Sequence, residues 1–158
     1  MDAMLELAMS AKAVQRDLER RLNDALRPIG LTAAQAEAIV VIGQAQPLSL
    51  KELGELLIAE AGHPSRLVDR LVEAGLVERR SAPDDRRRVD LSLTPRGREL
   101  EQRVNVERMH VLQLGRELVG DRDLEPALEI LRLMLADGPF AQLIARRAEL
   151  LQRTGVAA

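Results

Sequence analysis

Cysteine is absent from this chain of 158 residues, and so are tryptophan and tyrosine. Without a thiol there is no disulfide, no thiolate zinc site and no cysteine-based redox switch. Phe140 stands alone among the large aromatic residues. Aromatic cages for cations and stacking platforms for single-stranded bases are therefore excluded, and a ligand pocket would have to be walled with Leu, Val, Ile, Met and Ala. The two histidines, His63 and His110, lack a spacing that reads as a metal site. Neither a glycine-rich phosphate loop nor a Ser-His-Asp order stands out, so an enzyme is disfavoured and no cofactor is implied. No apolar run approaches the length of a membrane span, and residues 1–12 lack the basic start and continuous apolar centre of a signal peptide. The expected setting is the cytoplasm, with no membrane partner.

What is present is unevenly distributed. The net charge is −2, yet between Gly62 and Arg98 nine arginines face six acidic residues, a local excess of +3 that leaves −5 on the remainder. A basic stripe on an acidic body is an electrostatic footprint of the kind that nucleic acid attracts.

The apolar periodicity divides the chain into helices. Met4, Leu7, Ala11, Val14, Leu18, Leu22, Ala25 and Ile29 recur at steps of three and four, which predicts one long amphipathic helix ended by Pro28 and Gly30. Thr32 and Gln35 have the spacing of a capping box, as do Ser49 and Glu52; each marks the start of a helix. The first of these, AEAIVVIGQ, is apolar nearly all round and so should be buried. The second turns Leu50, Leu53, Leu56 and Leu57 inward. After the turn AEAG, Pro64 suits the first turn of a fourth helix and Gly75 the left-handed position past its end. Leu67, Val68, Leu71 and Val72 form its apolar stripe, leaving Ser65, Arg66, Asp69, Arg70 and Glu73 outside. Two short helices closely joined, the second bearing arginines outward, make a helix-turn-helix candidate.

Past Gly75 the period changes to two. LVERRSA and RVDLSLT alternate around APDDRR, which supplies Pro and Asp for a turn, so a β-hairpin is predicted. Thr94 and Pro95 then open a long helix to about Val119, a further helix runs to about Ala136, and a last one spans Phe140 to about Arg153.

ELGELL, SRLVDRLVEAGLVERR and PDDRRRVDLSLTPRG, in this order, resemble the DNA-binding lobe of the MarR family of bacterial transcription regulators. The pattern of a D-R-R wing followed by L-x-L-T-x-x-G is met by Asp85-Arg86-Arg87 and by Leu91 to Gly97. At Gly62-His63-Pro64 the chain departs from the small polar residues that this family often carries at the start of its recognition helix. The resemblance implies a mostly α fold with a small β-hairpin wing. A winged helix-turn-helix lobe at 32–97 would be flanked by helices at 1–30 and 98–153 that build a homodimer. It implies a regulator of transcription, a ligand-responsive repressor of a palindromic operator in double-stranded DNA, with a small-molecule effector.

Arg66 and Arg87 fall where the family commonly has DNA-contacting arginines. A hairpin tip can enter the minor groove, where negative potential is concentrated, and Arg86, Arg87 and Arg88 are the candidates. Arg87 is assigned the groove and Asp85 the support of the wing. Arg70 either meets DNA or pairs with Glu73, and Asp69 could equally pair with Arg66. Ser65 either reads a base edge or helps to cap its helix; His63 either meets phosphate or base or caps the turn. The rival reading, a winged-helix protein-interaction module, has no need of an arginine run at the wing.

Overall fold

A computed structural model of the chain describes residues 2–59, 64–81 and 88–154. Helix α1 spans Ala3–Leu26, with the Asp2 carboxylate accepting from the Met4 and Leu5 amides as its cap. A 3-10 turn at Arg27–Ile29 follows and ends at Gly30, whose φ of 76° lies in the left-handed region. Helix α2 (Ala33–Ala45) begins in the expected capping box, in which Thr32 and Gln35 satisfy each other's backbone amides.

The core is organised on α2. Ala36, Ala38, Ile39, Val40, Val41 and Ile42 are buried around its whole circumference, because α1, four of the helices that follow and the sheet pack against it. A helix apolar on every side is stable only in such a position, each fully buried Val or Ile contributing about 1.5–3 kcal/mol. Truncation of Ile39 or Ile42 to alanine would cost about 2–5 kcal/mol.

A two-residue strand, β1 (Leu48–Ser49), leads into α3 (Leu50–Leu56) through the second capping box, Ser49 with Glu52. Helix α4 (Ser65–Glu73) buries Leu67, Val68 and Leu71. It ends at Gly75, which has φ 69° and so escapes the Cβ clash that other residues meet there. Strands β2 (Val77–Ser81) and β3 (Val89–Leu93) form the expected hairpin, pairing Val77 with Leu93 and Arg79 with Leu91. The sheet differs from that expectation by one strand. β1 joins the far edge of β3, Leu48 opposite Leu91 and Ser49 opposite Asp90, to give the antiparallel order β1-β3-β2. Two residues before a helix cap carry no alternation to read, and only the buried Leu48–Leu91 pairing brings them in.

Helix α5 (Pro95–Val119) starts on the Thr94 cap, as its sequence predicts. Helices α6 (Glu125–Leu135) and α7 (Pro139–Thr154) close the chain, α7 lying back against α2 and α3 while α6 packs on α7. Among the described residues no single helix is long and apolar enough to cross a membrane.

Candidate nucleic-acid interface

The position of α4 follows from its two faces. Leu67, Val68 and Leu71 seat it on the core, and that seating turns Ser65, Arg66, Asp69, Arg70 and Glu73 outward. Ser65 is the first helical residue rather than the cap. Pro64 holds the cap position and offers no side-chain hydrogen bond.

The acids around this face are largely committed to strand arginines. Arg79 on β2 donates to the Asp69 carboxylate at 2.6 Å, so Asp69 is not the partner of Arg66. Arg80 pairs with Glu78 at 2.8 Å. Arg88 forks onto the Asp90 carboxylate, Nε to Oδ1 at 3.0 Å and Nη2 to Oδ2 at 3.3 Å. Asp90 is buried, only 6% exposed, and such a charge requires a cation with matching geometry. Arg96 and Arg98 are spent on carbonyls, at Ala74 (3.2 Å) and Leu93 (2.7 Å). Among the described residues, then, the arginines of this stripe that neither a carboxylate nor a backbone carbonyl holds are Arg66 and Arg70, both on the outer face of α4. The alternative pairing of Arg70 with Glu73 does not form.

Of the residues singled out from the sequence, Ser65, Arg66 and Arg70 share one exposed face, and Arg88 stands at the base of the wing. His63, Asp85, Arg86 and Arg87 lie outside the described residues. Asp90 and Arg79 were missed. The signal for Asp90 was available, since it stands two residues from Arg88 in a segment of period two and so on the same side. Asp69 and Arg79 belong to different elements and carry no such local sign. His110 is exposed on α5, with Glu107 at 3.5 Å. Among the described residues no group of His, Asp or Glu side chains is placed to hold a metal ion.

Other charged groups position the lobe. The Ser49 backbone N–H bonds to the Glu52 carboxylate at 2.6 Å, and this bond holds that carboxyl below its ordinary range. Thr94 caps α5 through the Gly97 amide and donates its own hydroxyl to the Gly75 carbonyl at 2.8 Å, which ties the start of α5 to the end of α4.

A family model for a winged helix DNA-binding domain matches residues 31–97. The multiple antibiotic resistance protein MarR of Escherichia coli is 38% identical over 84 residues, 53% of this chain and 58% of that protein. The crystal structure of reduced E. coli MarR superposes with a TM-score of 0.68 at 28% identity, covering 82% of this chain and 96% of that one. The chain resembles the MarR regulators in both sequence and fold. The MarR protein of Salmonella typhimurium gives 36% identity over the same length. The chain spans 58% of the length of these MarR proteins it matches in sequence. The transcriptional repressor CouR, solved on a 23-mer DNA duplex, shares the fold with a TM-score of 0.71 at 23% identity, over 85% of this chain and 98% of its own. The winged-helix match runs from just before α2 to the start of α5, and Arg66 and Arg70 stand on α4 within it.

Proposed function

We propose that this MarR-like chain is a sequence-specific DNA-binding regulator of transcription, working in the cytoplasm as a homodimer that represses from a palindromic operator and releases it for a small-molecule effector. The observation that carries the reading is the pair Arg66 and Arg70, exposed on the outer face of α4 with no carboxylate partner among the described residues, while Asp69, Glu78 and Asp90 are bound to other arginines. A cation without an internal partner is available to phosphates and guanine edges at no cost of breaking an ion pair. MarR proteins are regulators, and CouR, of the same fold, was solved on DNA. In this reading α4 enters the major groove, with Ser65, Arg66 and Arg70 toward the DNA and His63 beside them. The wing reaches the adjacent minor groove through Arg87, with Arg86 and Arg88 near phosphates and Asp85 supporting the turn.

The dimer is supported by apolar side chains that the chain itself leaves open, among them Met4, Leu5 and Met9 on α1 and Leu128, Leu131 and Leu133 on α6. Two lobes related by a twofold axis would read half-sites about 10 base pairs apart or a multiple of that. The deciding experiment is selection from genomic fragments followed by fluorescence anisotropy on the recovered duplex at several salt concentrations. An imperfect palindrome bound with a steep salt slope is expected. Selection of no sequence, with weak binding indifferent to salt, would leave the protein-interaction module as the better account.

A further inference from the structure

One carboxylate on α2 reaches across to the turn that follows α3. Glu37 accepts from the Ile58 amide on Oε1 and from the Ala59 amide on Oε2, both at 3.0 Å. These are the amides just beyond the helix cap at Leu57, where the α3 ladder ends. The same carboxylate is held from the other side, since Arg147 of α7 donates to Oε1 at 2.8 Å and lies 3.4 Å from the Leu56 carbonyl. The pair is secluded: the Arg147 and Glu37 side chains are 13% and 17% exposed. Each charge there depends on the other, because a secluded ion without its partner carries the full cost of desolvation. Arg108 on α5 is the third charge of the group. Burial lowers its proton affinity, and so, secondarily, does the nearby Arg147, while Glu37 opposes both. Arg146, the next residue along, makes a different kind of bond: it pairs with Glu55 where the two side chains are 53% and 41% exposed.

Helix α7 thus grips the turn between the two helices of the helix-turn-helix, with Glu37 as the joint. A shift of α7 relative to α2 must either break the joint or carry the turn with it. We propose that Arg147 is a positioning residue for DNA recognition, holding the Ile58–Ala59 turn through Glu37 and so setting where the recognition helix α4 begins relative to the C-terminal helices. This rests on the DNA-binding reading above, and it assigns to a residue far from the DNA a part in affinity.

The test uses the full chain and two readouts. The first is amide hydrogen exchange at Ile58 and Ala59 by NMR; the second is affinity for the duplex recovered by the parent protein from genomic fragments. Arg147→Met should speed exchange at both amides and weaken binding roughly 10-fold, the scale of a lost charge-assisted bond in a secluded site. Arg147→Lys should restore part of both effects. Arg146→Met, which breaks only the exposed pair, should leave both within about twofold. Should Arg147→Met fail to fold, Glu37→Gln serves in its place. Its amide keeps a single oxygen for the two backbone donors, so at least one of them should exchange faster and binding should weaken. Parent-like exchange and affinity in whichever of the two variants folds would overturn the proposal. If the parent selects no DNA, the DNA-binding reading fails by itself, and exchange at Ile58 and Ala59 still decides whether α7 holds the turn.

Discussion

Asp69 of α4 and Arg79 of β2 are joined by a 2.6 Å hydrogen bond that ties the second short helix of the winged lobe to the first strand of its hairpin. The bond adds a side-chain tie to the one that the Leu76 amide makes to the Leu71 carbonyl at the end of α4. It also disposes of the one acid that could have neutralised Arg66 from within the helix. Both side chains are half-exposed, at 51% and 39%, so the pair contributes little to folding. Asp69→Asn should lower the unfolding free energy by less than about 1 kcal/mol in urea. A loss several times larger would place the pair in the folding core instead of on its surface.

Two glycines on the helices that build the lobe answer differently to alanine. A Cβ at Gly97 would run into the backbone carbonyl of Leu76, which the wing and the α4 cap hold in place. Gly97→Ala should therefore cost about 1–3 kcal/mol in urea unfolding. At Gly43 the atoms nearest to an added Cβ would be the carboxylate of Glu101, the far end of a flexible side chain. Gly43→Ala should be neutral or stabilising, since alanine favours the helix by up to about 1 kcal/mol. A reversed order of the two would show that α5 does not sit this close to the end of α4.

What the sequence discloses about this molecule is what neighbouring residues decide among themselves. Thr32 with Gln35, Ser49 with Glu52, Gly75, and Thr94 with Pro95 each act within a few residues, and each helix boundary they imply is where it was expected. The apolar ring of α2 announces burial because only a central position satisfies it. Contacts between distant segments left no comparable mark. β1 is too short to show a period, Asp69 could as well have paired with Arg66 as with Arg79, and Glu37 meets Arg147 across 110 residues. The arginines of the stripe illustrate the division. Their clustering was plain from composition, but which of them the acids would hold depended on tertiary pairing.

Two glutamates of the lobe should titrate against stability with opposite signs. Burial raises the Glu101 carboxyl above the ordinary glutamate value of 4.5, with Arg98 opposing. Its charged form at neutral pH is a burden on the folded state, relieved as pH falls through the raised value. Glu101→Gln should thus be more stable than the parent at pH 7, and the difference should close by about pH 4.5. For Glu52 the Ser49 backbone bond, chiefly, lowers the carboxyl below 4.5. The stability this supplies is complete above pH 4.5 and is lost as pH falls through the lowered value. Glu52→Gln should be the less stable protein at pH 7, and the gap should vanish in acid. Urea titrations of the three proteins across this range check both signs.

The open apolar surface predicts the assembly. Met4 on α1, Leu118 at the end of α5 and Leu133 on α6 are 62%, 75% and 71% exposed, far more than residues of this kind tolerate in isolation when they recur along whole helices. Sedimentation equilibrium should give a dimer at micromolar concentration. Removal of residues 1–25 should cause aggregation or unfolding, whereas a soluble, compact monomer after that truncation would count against dimerisation through the terminal helices.

The last prediction separates the two arginines assigned to DNA by the kind of contact each makes. Arg66 stands exposed in the first turn of α4 with no carboxylate partner among the described residues, so its guanidinium can offer two donors to a guanine edge. Losing that contact should cost about 1–3 kcal/mol at one base position, and Arg66→Ala should flatten the preference there while other positions keep theirs. Arg87, between β2 and β3 in the sequence, is the residue proposed to meet the minor groove, where groove potential and phosphates dominate and sequence counts for less. Arg87→Ala should weaken the selected operator and unrelated A·T-rich DNA alike, and the slope of log affinity against log salt should fall by about one charge. Asp90 already holds Arg88, so Arg88→Ala should destabilise the wing as well as weaken binding, and the melting temperature tells it apart from the other two. Arg66→Ala and Arg87→Ala must melt like the parent for their affinities to be compared. Operator and A·T-rich affinities unchanged in Arg87→Ala at about 0.15 M salt, well within the range where phosphate contacts are felt, would reduce the wing to a solvated turn and leave recognition to α4 alone.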